Sequence, residues 1–231
     1  MTQRSFIHAL DLRNFFACHN ISLDGSLWTP NFLGLADEGL RATHRHIGEI
    51  PIEELRSTGP TGNVLAPRVA AYFIPGAIWG AGQKLANGYG QEIQISEGKK
   101  ANMIDVRDAE LAFEAGRRRY SPNSTSRLSC IWLAEHSAEG EAVVRHMFGD
   151  NSHIVIVGMR ITHQLSLSRA DARWFEEYCY SPSESKVENY WKEVPHPDGP
   201  RWEWMLDGRV ELSNADDLEL IRAKRATSPT Q

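Results

Sequence analysis

Hydrophobic and polar positions are far better ordered in the second half of this chain than in the first. The run His153-Ile-Val-Ile-Val-Gly-Met-Arg-Ile161 is dominated by β-branched residues and predicts the strongest strand. Leu128 to Leu133 is apolar but too short for a helix, and predicts another strand. Between them Ser137 caps a helix with Glu139 in its first turn. Val143, Val144, Met147 and Phe148 form its buried stripe, and Gly149-Asp150-Asn151 ends it. Ser168-Arg-Ala-Asp171 reads as a capping box opening a helix whose apolar face is Trp174, Phe175, Tyr178 and Cys179. Ser183 caps the next helix, with Val187, Tyr190, Trp191 and Val194 on one face, and Pro195 and Pro197 stop it. Trp202 to Leu212 alternates as a strand, and Asp207-Gly208 has the composition of a hairpin turn inside it. Asp216 to Ala223 predicts a last short helix.

The first half is weaker. Ser5 to Leu10 reads as a first strand running into a short helix at 14–18, and 20–67 is rich in Gly, Pro, Thr and His. Loops are expected there, with one helix near Ile52 to Arg56. Val69 to Gly80 is apolar but interrupted by Pro75 and Gly76, which suits a strand end or an edge strand. The glycines at 80, 82, 88, 90 and 98 fit neither a dinucleotide fingerprint nor a Walker loop, so a surface loop is expected. A helix from Asp105 to Gly116 precedes Arg117-Arg118-Arg119. The order of elements predicts an α+β fold of small sheets with packed helices. One domain is expected over 1–224, with a loop-rich N-terminal half at 1–100 and a disordered tail at 225–231.

Charge narrows the partners. Twenty-five Lys and Arg against 30 Asp and Glu give a formal charge of −5, which argues against a generic binder of phosphate backbones. Cys18, Cys130 and Cys179 lack the spacing of a zinc ribbon or redox pair and read as buried thiols in a reducing compartment. His44, His46 and Cys18-His19 do not predict converging ligands, so no metal is expected. No stretch approaches the ~20 apolar residues that span a bilayer, so no membrane partner is expected. The opening residues lack a secretory pattern, which predicts a cytoplasmic protein, or an effector exported without a signal peptide.

Two segments carry candidate chemistry. In Arg119 to Leu133, Ser124, Thr125, Ser126 and Ser129 supply hydroxyls and Arg127 a planar fork suited to phosphate or carboxylate, just before an apolar strand. The same serines could instead satisfy a turn. In Arg201-Trp-Glu-Trp-Met-Leu206, alternation puts Trp202, Trp204 and Leu206 on one face and Glu203 on the other. A rigidly held Glu203 could stabilise positive charge on a reacting sugar carbon, or could be a surface residue paired with Arg201 or Arg209. His8 is either a core histidine or a nucleotide contact. Arg117 to Arg119 form either a solvated helix end or a phosphate-attracting rim. The two segments are expected to face each other across a nucleotide pocket.

These residues resemble bacterial ADP-ribosyltransferase-fold proteins, in particular a family with a Pro-Ser-Arg-Leu-Asn-Ser-type strand start, an adjacent helix and a late strand bearing a glutamate. The matching pieces are Arg118 to Leu133, Glu135 to Val144, Tyr190-Trp191 and Glu203 to Arg209. The resemblance implies a split pair of small sheets gripping NAD, with Glu203 catalytic at the nicotinamide ribose. It implies that Arg127, Ser126 and Ser129, with Ser124 beside them, shape the cofactor site and that His8 helps hold NAD. Arg201 stands where arginine-modifying members carry Glu or Gln, and no proline directly precedes Ser126. The implied function is an NAD-dependent ADP-ribosyltransferase, a toxin or effector modifying a protein or nucleic-acid acceptor. A non-catalytic binding module and a nucleic-acid-directed protein using Arg117 to Arg119 are the alternatives.

Overall fold

The computed structural model describes residues 4–13, 15–41, 44–57, 64–149 and 151–227. Five strands form one antiparallel sheet: β1 (Phe6–Asp11), β2 (Ser26–Trp28), β3 (Ile131–Glu135), β4 (Ile154–Asp171) and β5 (Trp202–Leu212). Their order is β2-β5-β3-β1-β4, and β4 also pairs with β5, so β5, β3, β1 and β4 close into a ring with β2 added beside β5. The length of β4 permits this: 154–159 pair with β1 and 159–171 with β5. Along one edge of β5, β3 covers 204–206 and β2 covers 209–211. The molecule is therefore of mixed α+β class.

Each face of the sheet buries a different set of helices. Phe6, Leu10, Leu133, Val157, Trp204, Leu206 and Val210 pack against Cys18 and Ile21 of α1 (Phe15–Asp24) and Ile221 of α10 (Ala215–Thr227). On the opposite face Met205 and Ala170 meet Phe113 of α6 (Glu97–Tyr120) together with Val187, Tyr190 and Trp191 of α9 (Glu184–Trp191). Phe175 of α8 (Ala172–Tyr180) packs on the same cluster. Ile7 and Ala134 are covered by Val144 of α7 (Ala138–Phe148). Outside α6 lies a second layer, in which Leu55 of α4 (Ile52–Ser57) and Val69 and Phe73 of α5 (Pro67–Gly80) close over Leu111 and Leu128. The helices α2 (Pro30–Ala36) and α3 (Glu38–Arg41) follow β2 directly.

Several elements differ from expectation for identifiable reasons. Residues 69–80 lie in α5, a helix with Pro75 inside it, and not in a strand. At Gly76 an added Cβ would stand 2.6 Å from the Met103 carbonyl oxygen, so Pro75-Gly76 marks where α5 crosses the α6 backbone. Asp207-Gly208 makes no hairpin, because β5 runs straight through it. Gly208 has φ 151°, and a Cβ there would be 2.1 Å from the His163 carbonyl oxygen, so the glycine serves close strand approach. Ser168 does not cap α8, since β4 continues to Asp171, whose carboxylate accepts the Arg173 N–H at 3.1 Å. The helix expected at 105–116 spans 97–120, and α10 runs to Thr227, into the segment expected to be disordered. The rest of that segment, 228–231, lies outside the described residues, as do Asn14 at the expected start of the first helix and Asp150 beyond α7.

Candidate functional site

Arg127, in the loop between α6 and β3, is a buried cation with two carboxylate partners. Its Nε and Nη2 donate to Glu110 Oε2 and Oε1 at 2.8 and 3.0 Å, a forked pair. Its Nη1 donates to Glu203 Oε1 at 2.8 Å and to the Tyr190 hydroxyl at 2.5 Å. The Tyr190 hydroxyl in turn donates to Glu203 Oε1 at 2.6 Å. The guanidinium carbon lies 3.8 Å from the Phe175 ring centroid and 4.4 Å from that of Trp132, so aromatic rings pack against it. Burial disfavours the charged guanidinium, but Glu110, Tyr190 and Glu203 outweigh it and hold the pKa well above the ordinary arginine value. Tyr190 is pushed well above the usual phenol value by burial and by the Glu203 charge, so it stays protonated and donates.

Local sequence explains how these groups meet. Glu110, Glu114 and Arg117 stand four and three residues apart on α6, which places them on one stripe facing the sheet. Tyr190 sits on the inward face of α9, and alternation on β5 turns Glu203 and Met205 toward it. The structure thus brings Arg127 and Glu203 together, and Glu203 is not the surface residue that pairing with Arg201 or Arg209 would require. Arg201 instead pairs with Glu176. Glu110, Tyr190, Phe175 and Trp132 escape sequence reasoning as site residues. The available signal is an acid pair, Glu110 and Glu114, on the apolar stripe of a helix.

The other candidate residues lie elsewhere. Ser126 Oγ donates to Glu114 Oε2 at 2.7 Å, Ser124 Oγ pairs with Ser121 Oγ at 2.6 Å, and Ser129 Oγ receives Asn31 Nδ2 at 3.4 Å. These hydroxyls knit the loop to α6 and α2, and their partners turn them away from Glu203. His8 shares its strand face with Phe6 and Leu10, opposite Ile7 and Ala134, and its Nδ1 pairs with the Trp132 carbonyl oxygen at 2.7 Å. It is not brought into contact with Glu203. The basic run is mostly consumed internally. Arg117 grips Glu114 and the carbonyls of Pro122 and Ser124, and Arg118 grips Glu114 and the carbonyls of Ile47 and Ile50. Only Arg119 of the three is exposed, against Glu184.

A cleft of about 340 Å³ opens above the Arg127–Glu203 pair. Glu110, Arg127 and Glu203 form its floor and Tyr72, Trp132 and Phe175 its walls, with His146, Met147 and Glu176 also lining it. Three carboxylates, answered by Arg127 within the lining and by Arg201 on Glu176, leave one formal negative charge, a setting that favours a cationic or neutral ring over a phosphate. Separately, Glu177, His196 and Asp198 each place a possible ligand atom within 4.8 Å of the others. Hydrogen bonds account for that group: His196 Nε2 meets Glu177 Oε1 at 2.9 Å and its Nδ1 accepts the Asp198 N–H at 3.2 Å.

The profile of a family described as a protein of unknown function, DUF2441, matches residues 85–219, more than half of the chain. The chain belongs to the DUF2441 family. The DUF2441 segment contains Glu110, Arg127, Tyr190 and Glu203 and all of β3, β4 and β5, whereas His8 and β1 precede it. No curated protein matches the chain. No described helix is long and apolar enough to cross a membrane.

Proposed function

We propose that the cleft is the glycosidic-bond site of an NAD-dependent ADP-ribosyltransferase that modifies a macromolecular acceptor, on an ADP-ribosyltransferase-like arrangement of the sheet. The observation that carries this reading is Glu203, a carboxylate fixed by Arg127 and Tyr190 at the floor of an acidic, aromatic-walled cleft. That environment suits the cationic nicotinamide end of NAD, while the pyrophosphate stays outside. When the ribosyl–nicotinamide bond breaks, the electron pair leaves with the nicotinamide nitrogen, which becomes neutral. Positive charge is left on the ribose, where the Glu203 anion stabilises it. The acceptor atom then bonds the sugar carbon and loses a proton. Glu110 offsets the Arg127 charge, so the guanidinium orients Glu203 without cancelling its field. Ser124, Ser126 and Ser129 act in this scheme by holding the Arg127 loop.

Incubating the protein with NAD and a macromolecular extract tests this through nicotinamide release and label transfer. Glu203→Gln is expected to lower transfer by about 10²- to 10³-fold, the scale of removing one preorganised electrostatic group. Wild-type transfer by a folded Glu203→Gln protein would refute the role. One observation favours a second reading, a binding cleft without catalysis: Glu203 Oε1 already accepts two hydrogen bonds. NAD binding in calorimetry with no nicotinamide release in any extract would support that reading.

A further inference from the structure

We propose that Tyr190 is a positioning residue for Glu203, supplying through its hydroxyl the hydrogen bond that aims the carboxylate and keeps it ionised. This rests on the transferase reading for its consequence in catalysis, but the contact itself does not. The Tyr190 ring is held on several sides: Phe113 meets it edge-on at 5.0 Å, Trp191 at 4.9 Å, and the Arg127 guanidinium lies 5.2 Å from its centre. A ring so confined cannot swing its hydroxyl away. The hydroxyl has two acceptors in reach, Glu203 Oε1 at 2.6 Å and Met205 Sδ at 3.4 Å. The short contact to a charged oxygen dominates the long one to a weakly accepting thioether. Packing alone would be served by phenylalanine at this fully buried position, so the hydroxyl is explained by its polar partners: it accepts from Arg127 Nη1 at 2.5 Å and hands its own proton to Glu203.

Charged and titratable groups reach the Glu203 cleft from several elements. Arg127 bonds Glu203 from the loop before β3 and Glu110 of α6 pairs with Arg127, while Glu176 of α8, paired with Arg201, and His146 of α7 line the same cleft. At Glu203 Oε1 the Tyr190 hydroxyl and Arg127 Nη1 donate side by side. Removing the Tyr190 donor therefore removes one of the two bonds there that favour the ionised form.

The experiment is Tyr190→Phe, read in two ways. Carbon-13 NMR of glutamate carboxyls, with the Glu203 signal assigned from Glu203→Gln, is expected to show its titration midpoint moving up by about one pH unit. In the activity assay kcat is expected to fall by roughly 10- to 100-fold with KM for NAD little changed, and the acid side of the pH profile to move up in step. An unmoved Glu203 midpoint would overturn the proposal whatever the activity does. If the wild-type protein releases no nicotinamide, the transferase reading fails alone, and the NMR result still decides the role of Tyr190. Should Tyr190→Phe not fold, replacing tyrosine with 3-fluorotyrosine strengthens the donor, and the same midpoint is expected to move down. No movement there counts equally against the proposal.

Discussion

Arg127 is the residue on which the candidate site turns, because a guanidinium taken out of water must have its charge answered by the protein. Glu110 answers it with a forked pair from α6, and Glu203 with a single bond from β5. Buried pairs contribute little net stability when formed, but removing one partner leaves the other charge stranded. Glu110→Gln is therefore expected to destabilise the protein by about 3–5 kcal/mol, measured by urea unfolding. Arg127→Met, which removes the cation as well and fills the aromatic slot, is expected to be milder in the Glu110→Gln background than either change alone would suggest. A double-mutant cycle that came out additive would show that the two residues are not coupled. Glu110 also accepts the Tyr72 hydroxyl at 3.0 Å, so Glu110→Gln loosens one cleft wall as well as the floor.

At the scale of elements, close approach of backbones decides which substitutions the fold tolerates. Gly140, in the first turn of α7, sits so near β3 that a Cβ would fall 1.9 Å from the Glu135 carbonyl oxygen. Gly140→Ala must push the helix off the strand, and a loss of about 3 kcal/mol is expected, the upper end for overpacking. Gly98 in α6 has nothing within 4 Å of the corresponding Cβ position, so Gly98→Ala is expected to add about 0.5–1 kcal/mol through helix propensity. Thermal unfolding of the two variants checks both signs. The same contrast explains what the sequence can convey. Helices α7, α8 and α9 are legible because their apolar residues recur at helical spacing and their ends carry caps or prolines. Local pattern misleads at α5, where Pro75-Gly76 looks like a breaker and its partner, Met103, is distant in the chain. It misleads again at Gly208, whose glycine answers to His163 on another strand. The latter half of β4 has no clean alternation, with His163, Gln164 and Leu165 all exposed, and is held by pairing with β5, a long-range cause that no local pattern records.

Across the whole molecule, two acid–base networks fasten the α6 helix to the rest. Alternation leaves Glu203 either a held carboxylate or a surface residue until the structure pairs it with Arg127; the α+β class is readable from the order of elements. The networks are not, since Glu110 and Glu114 look like ordinary helix carboxylates until the sheet buries them. Glu114 is fully buried, and burial by itself would raise its pKa. The bonds from Arg117, Ser126 and Arg118 outweigh that and hold it below the usual glutamate value. A depressed native pKa means that the unfolded chain binds the proton more readily than the folded one. The stabilisation from Glu114 is therefore complete above the unfolded value of about 4.3 and is lost as pH falls through the lower native value. Stability measured by urea unfolding is expected to be flat in this respect near pH 7 and to fall steeply below about pH 4. Glu114→Gln is expected to cost about 3–5 kcal/mol at pH 7, because it strands the buried Arg117. That gap should narrow as acid neutralises Glu114 in the wild-type protein and brings it to the same uncharged condition. A gap that stayed constant from pH 7 to pH 3 would mean that Glu114 holds α6 to the loop by shape and not by charge.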